Sequence, residues 1–363
     1  MSEQVEREAP RAPPIPMLPR PVGGVASRLY AMEVGRRNRR FDRGVGVTQL
    51  DRPVIGVGNL SMGGTGKTPM VHRVVRTLQA AGRTPCIAMR GYRAKPGEIG
   101  DEEGEHRRSV PGVPVVAQPD RLAGLRALFA SGAGAAVDCV VLDDGFQHRR
   151  IARDLDIVLI DATRSVFTDR CFPAGWLREP VESLARADVV VLTHAERATM
   201  DDVAKQLDLA RSAAPEAIVA VSEHGWAGLT VVDGDQQTNQ QTVEPIAWLR
   251  GKRVAVSCGI GHPEAFLAQL AEAIGGEPVA TLVLPDHGAY TKPRLARLRA
   301  MADEADVLVT TAKDWSKLGP TAALTGYQVA IPRLEITLRS GEAAFDAAVV
   351  QTVERAVDRQ GTA

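Results

Sequence analysis

An α/β fold of P-loop NTPase type, with a mostly parallel sheet flanked by helices and a smaller C-terminal α/β domain, is predicted by three features of this 363-residue chain. The first is the stretch PVIGVGNLSMGGTGKTPMV at positions 53–71, where a β-prone run meets a glycine-rich bend, a Lys-Thr pair and a helical pattern. The second is an apolar run, Asp138 to Leu142, that stops abruptly at Asp143-Asp144-Gly145. The third is the repeated alternation of short apolar runs with helical patterns, which implies a parallel sheet covered on both faces.

The order strand, glycine loop, Lys-Thr, helix is the phosphate-cradling arrangement. Gly63, Gly64 and Gly66, with Thr65 among them, let backbone N–H groups converge on phosphate oxygens. The N-terminus of the following helix adds the positive end of its dipole. Ser61 and Met62 open the loop, and Ser61 stands where the consensus has glycine. Lys67 is expected to reach the β- and γ-phosphates and the Thr68 hydroxyl to ligate magnesium. An apolar strand ending in aspartate supplies such a loop with a carboxylate for the magnesium shell, which points to Asp143. ATP and magnesium are therefore the expected cofactors.

Taken in order, residues 1–21 carry six prolines among charges and read as a disordered or extended tail. From Val22 the spacing turns helical, with Val22, Val25, Leu29 and Met32 on one face, and Arg36, Arg37, Arg39, Arg40 and Arg43 follow. Such a stretch suits an anionic membrane surface or a solvated helix packed on its own domain. The P-loop domain is expected over 22–232. Its later strands fall at Thr84–Met89, Asp138–Leu142, Asp156–Ile160, Asp188–Leu192 and Ala217–Val221, and its later helices at Asp120–Ser131 and Met200–Ala213. Lys95 to Arg108 is polar, acidic and glycine-bearing and reads as a long loop holding Asp101, Glu102 and Glu103. A turn-rich insert runs from Phe172 to Pro180. Polar Asp233 to Thr242 introduces the second domain, 233–363. Its strands are expected at Arg253–Ser257, Val279–Leu284, Asp306–Thr310 and Tyr327–Ile331. Its helices are expected at Pro263–Ala273, Lys292–Asp303 and Glu342–Val357.

Lys+Arg and Asp+Glu both number 44, so no global field points to nucleic acid. Four scattered cysteines without a C-x-x-C argue against a disulfide framework or a zinc site. No apolar run reaches the eighteen or so residues of a membrane span, and no signal peptide is legible. The chain reads as soluble or peripheral.

With these pieces assembled, the sequence resembles the tetraacyldisaccharide 4′-kinase family over about Leu29 to Pro332. The most specific motifs are VGNLSMGGTGKTP (Val57–Pro69) and DDGFQHRR (Asp143–Arg150). RGYR (Arg90–Arg93), GDE (Gly100–Glu102), PAGWLRE (Pro173–Glu179), PDH (Pro285–His287) and TTAKD (Thr310–Asp314) support them. Two motifs depart from the family: Ala312 replaces a glutamate, and RGYR lacks the second glycine of RGYG.

The resemblance implies transfer of the ATP γ-phosphate to the 4′-hydroxyl of a tetraacylated glucosamine disaccharide 1-phosphate, giving lipid IVA. It implies peripheral attachment to the cytoplasmic face of the inner membrane, with substrate meeting nucleotide between the two domains and no obligate protein partner. By resemblance, Asp101 is the catalytic base and His287 its partner, a pairing the chemistry allows because a carboxylate accepts the proton and an imidazole orients it. Asp144 and Lys67 complete the catalytic set, and Glu179 joins Thr68 and Asp143 at the metal. Asn59, Arg90, Tyr92, Gln147, His148 and Arg178 are assigned to the substrate. His194 and His262 read as ordinary loop residues.

Three other classes compete. A regulatory GTPase would show N-K-x-D, which is absent, and partitioning ATPases carry a lysine where Ser61 and Met62 stand. A P-loop ATPase or a dethiobiotin-synthase-like small-molecule kinase or ligase would share the loop without DDGFQH. A non-catalytic membrane scaffold would tolerate loss of Asp101 and Asp144.

Overall fold

The computed structural model describes residues 20–91, 100–233, 241–261, 263–285, 288–319 and 321–361. The elements run in the order α1 (Arg20–Asp42), β1 (Val54–Asn59), α2 (Lys67–Ala80), β2 (Pro85–Met89), α3 (Asp101–Ser109), β3 (Val115–Ala117) and α4 (Arg121–Phe129). Next come β4 (Cys139–Asp143), β5 (Leu155–Asp161), β6 (Val189–Thr193), α5 (Met200–Ala213), β7 (Ile218–Asp233) and β8 (Gln241–Glu244). The last are β9 (Val254–Cys258), α6 (Pro263–Ile274), β10 (Ala280–Val283), α7 (Lys292–Asp303), β11 (Val307–Thr310), α8 (Ala312–Leu318), β12 (Gln328–Ser340) and α9 (Glu342–Gly361).

Two compact units result, and they do not follow the linear boundary expected near 233. The first comprises the chain up to Arg90, Val113–His224 and everything from Thr337 onward. The second comprises Gly91–Gly112 and Gly225–Ile336. Strands β7 and β12 run longer than their apolar cores suggest, so the chain changes unit inside a strand rather than in a linker.

In the first unit, parallel strands lie in the order β7–β6–β5–β1–β4–β2–β3. All six residues of β1 are buried, as the central strand of a doubly covered sheet requires. Gly58 has a steric reason: a Cβ there would fall 2.5 Å from Cβ of Phe146, the fully buried side chain that follows the Asp-Asp pair. Helix α9, distant in sequence, braces α2. Arg73 Nη2 donates to Asp346 (2.8 Å) and Glu342 (3.1 Å), and Thr77 Oγ1 donates to Asp346 (3.1 Å). These contacts explain why the last helix belongs to the first unit.

Helix α1 turns a mixed polar and apolar face inward and leaves its apolar stripe outside. Ser27, Val34 and Asn38 are buried, while Val22, Val25, Leu29 and Met32 are 49–60% exposed. Ser27 Oγ donates to the Cys171 carbonyl and accepts from the Ala174 N–H, and Tyr30 donates to the Arg178 carbonyl at 3.0 Å. Hydrogen bonds to the insert, rather than burial of the apolar stripe, orient this helix.

The second unit has the parallel order β10–β9–β11–β12, with β8 antiparallel on the later part of β7. Period-two alternation covers both faces: Val254, Val256 and Cys258 pack with Phe266 and Leu270 of α6, and Ala255 packs with Leu298 and Met301 of α7. The segment expected as a loop up to Arg108 contains α3. Residues 92–99 lie outside the described residues, but from Asp101 the acidic first turn and the basic last turn, His106-Arg107-Arg108, complement the helix dipole. Arg107 and Glu103 pair at 2.8 Å one turn apart. A composition that read as loop was a helix carrying its charges at the favourable ends.

Candidate active site

The site grows from the carboxyl ends of β1, β4 and β6, where open α/β sheets place ligands. The loop after β1 is pinned from below. Asn59 Nδ2 donates to Thr65 Oγ1 (2.8 Å), and Thr193 Oγ1 donates to the Thr65 carbonyl (3.1 Å). All three residues are buried. From the side, the insert adds an antiparallel bridge, Ser61 to Leu177. The Met62 N–H donates to the Trp176 carbonyl (2.8 Å) and the Arg178 N–H to the Leu60 carbonyl (2.7 Å). Gly63 and Gly66 have φ of 118° and 77°, the left-handed region that favours glycine. Gly66 directly precedes α2, so Lys67 and Thr68 occupy the first turn of that helix.

Strand β4 brings its aspartates alongside. Val57 and Asp143 are register partners in the β1–β4 ladder, and the Gly145 N–H donates to the Val57 carbonyl. Asp144 has φ of 52°, one of two non-glycine residues in the left-handed region among the described residues. That conformation aims its carboxylate between two cations. Arg178 Nη1 donates to Oδ1 and Oδ2 at 2.7 and 2.9 Å, and Lys67 Nζ lies 3.8 Å from Oδ1. Gln147 Nε2 donates to the Asn59 carbonyl (2.9 Å), while its Oε1 faces Arg178 at 3.4 Å. His148 is pushed down to about 4 by burial and by the nearby charges of Arg121, Arg150 and Arg153, so it is neutral at physiological pH.

Lys67, Asp143, Asp144, Gln147 and Arg178 are thus brought to one edge of the first unit, together with Asn59 and the loop Ser61–Thr68. Glu179, expected at the metal, is fully buried, and its Oε2 accepts from Asn38 of α1 (2.7 Å) and from Arg186 (2.9 Å). Arg90 is exposed at the end of β2. Tyr92 and His287 lie outside the described residues. Asp101 begins α3 in the second unit, where Arg108 donates to the Ala312 carbonyl (3.3 Å), joining the GDE and TTAKD motifs.

The hard oxygen donors of Thr68, in the first turn of α2, and of Asp143, at the end of β4, suit magnesium. A lysine and an arginine converging on one carboxylate beside a glycine-lined helix N-terminus define a protein that binds and handles nucleotide phosphates. A family model, tetraacyldisaccharide-1-P 4′-kinase, matches residues 22–354. Relatives named tetraacyldisaccharide 4′-kinase are 37% identical in Geobacter sulfurreducens, over 81% of this chain and 83% of the relative, and 36% identical in Anaeromyxobacter dehalogenans strain 2CP-C, over 90% and 88%. The crystal structure of LpxK from Aquifex aeolicus in complex with ATP superposes with a TM-score of 0.65 at 27% identity, covering 90% of this chain and 97% of that one. The chain belongs to the tetraacyldisaccharide 4′-kinase family.

Several residues escape a reading of the sequence. Thr193 supports the P-loop from a strand end that carries no motif. His194 and His224 lie thirty positions apart yet stack with ring centroids 4.1 Å apart. His194 read as an ordinary loop residue, but it is the second non-glycine residue with positive φ, at 59°. Asn38 and Arg186 matter only through Glu179, and no local pattern links the three.

Proposed function

We propose that the protein transfers the γ-phosphate of ATP to the 4′-hydroxyl of tetraacyldisaccharide 1-phosphate, the reaction named for its relatives, at the cytoplasmic face of the inner membrane. The observation that carries the reading is the convergence of Lys67, Arg178 and Asp144 beside the glycine loop, within a chain that aligns with the family along almost its whole length. Phosphoryl transfer depends on neutralising phosphate charge and positioning the acceptor. Lys67 and the loop amides supply the first. Thr68 and Asp143 would hold magnesium, which neutralises phosphate charge when bound. Arg178, oriented by Asp144 and Gln147, contributes a planar donor pair for a phosphate of the nucleotide or of the acceptor.

Asp101 is assigned as the base that accepts the hydroxyl proton and His287 as its partner, with Asn59, Arg90, Tyr92, Gln147 and His148 toward the acceptor. Neutral His148 can donate or accept a hydrogen bond to a sugar hydroxyl. Glu179 is assigned to anchoring α1 through Asn38 rather than to the metal.

No helix among the described residues is long and apolar enough to cross a membrane. The outward stripe Val22, Val25, Leu29 and Met32, next to Arg36, Arg37, Arg39 and Arg40, supports attachment by α1 lying in the interface. Replacing Leu29 and Met32 by serine should change unfolding free energy by no more than about 0.5 kcal/mol, as for a neutral surface substitution, and weaken sedimentation with anionic vesicles. Unchanged sedimentation would remove α1 from the membrane contact.

The activity is tested with radiolabelled ATP and tetraacyldisaccharide 1-phosphate in detergent micelles. Label is expected on the lipid with magnesium present, and Asp101→Ala should lower the rate by about 10²–10⁴-fold. ATP turnover without labelled lipid would return the protein to the ATPase reading. Full activity in Asp101→Ala would remove only the assignment of the base.

A further inference from the structure

One cluster in the first unit takes no part in the chemistry above. His194 follows β6 directly, Glu196 lies in the short turn after it, and His224 extends from β7. One ligand-type atom from each of the three lies within 4.8 Å of the others. Glu196 Oε2 accepts the His224 backbone N–H at 3.0 Å, and Oε1 stands 3.6 Å from His194 Nδ1. The imidazoles are stacked with planes 18° apart, so one ring must turn about its Cβ–Cγ bond for a nitrogen of each to meet one ion. His194 is held there by a left-handed backbone, a conformation that costs about 1–3 kcal/mol in a non-glycine residue and concentrates at functional positions.

We propose that His194, Glu196 and His224 form a binding site for a divalent transition metal ion of the zinc class, distinct from the magnesium of the nucleotide. Two imidazoles and one carboxylate form a donor set found around catalytic-type zinc, with a fourth position open. Zinc bonds of about 2.0–2.1 Å in tetrahedral array set ligand atoms about 3.4 Å apart, close to the separation already present between His194 and Glu196. Magnesium, which favours oxygen ligands and octahedral geometry, is the wrong ion for this set.

The site also borders the nucleotide loop, because a Cβ placed on Gly66 would fall 2.3 Å from His224 Nε2. An ion holding His224 would therefore fix the ring against the residue that opens α2.

The test uses the full chain after chelation and dialysis, with magnesium at millimolar level throughout. Zinc is titrated by calorimetry, and cobalt(II) by visible absorption, which reports nitrogen ligation and low coordination. Wild type is expected to bind one equivalent of each. Affinity should fall at least about tenfold in His194→Ala and in Glu196→Gln, with the cobalt bands lost or shifted. The glutamine variant keeps side-chain shape at a partly exposed position, so an unchanged metal-free melt will separate lost ligation from lost folding. No saturable binding by wild type, or equal affinity in a folded Glu196→Gln, overturns the site.

Discussion

Two aspartates beside strand ends, one in each unit, do opposite work. Asp144 follows β4 and Asp314 lies in the first turn of α8, just past β11. The Asp144 side chain is 26% exposed and, among the described residues, pairs with Arg178 and Lys67 beside the glycine loop. Asp314 is completely buried, and its Oδ2 accepts from the Gly259 N–H (2.7 Å) and from Thr311 Oγ1 (2.8 Å). Thr311 Oγ1 in turn caps the Asp314 N–H. The lesson is that an aspartate at a strand end is no functional signal until its oxygens are accounted for. One carboxylate organises charges for a ligand, whereas the other ties two loops together.

Substitutions test that contrast, beginning with the largest effect. Lys67→Ala removes the cation nearest the phosphates and should cost about 10²–10³ in turnover or more, with folding intact by circular dichroism. Asp144→Ala should cost about 10² in lipid phosphorylation because Arg178 loses its orienting partner, while the melting temperature stays nearly constant. Asp314→Ala should do the reverse. Losing its acceptor strands the Gly259 N–H and costs about 1–3 kcal/mol of stability, read by denaturant unfolding, with activity falling only as folded protein is lost. If Asp314→Ala melts like wild type but is inactive, the contrast fails.

Smaller effects sharpen it. Gly66→Ala combines left-handed strain of about 1–2 kcal/mol with the collision against His224. It should weaken ATP binding, and adding His224→Ala should recover part of the loss because only the collision is removed. The smallest effect is pH-linked. His148 has a folded-state value near 4 against an ordinary value of about 6.5, so the unfolded chain binds the extra proton first. Its stabilising contribution is complete above about pH 6.5 and is lost as pH falls toward 4, and buried His224 acts in the same direction. Melting temperatures of His148→Gln should fall less steeply than wild type between pH 7 and 5.

The nucleotide machinery was legible because it is local. Strand, glycine bend, Lys67 and Thr68 fall within twenty positions, and the backbone conformations they need restrict which residues can stand there. Asp143 was legible one step further, as the abrupt end of an apolar run. The nine-residue helix α3 is hidden in the sequence because its charges weigh as polarity rather than by position along a dipole. The domain boundary near 233 marks a composition change, while the fold changes unit earlier, inside β7 after His224, and returns α9 to the first unit through Arg73 and Asp346.

Periodicity and short motifs by themselves determined the α/β class, the phosphate loop and the amphipathic N-terminal helix, since each depends on residues a few positions apart. Only the tertiary structure decided that α1 leaves its apolar stripe outward, that Glu179 meets Asn38 and Arg186, that Arg178 converges with Lys67 on Asp144, and that His194 meets Glu196 and His224. Those facts depend on contacts between strand ends and insertions distant in sequence. A side chain's partners there are fixed by the register of a parallel sheet rather than by spacing along the chain.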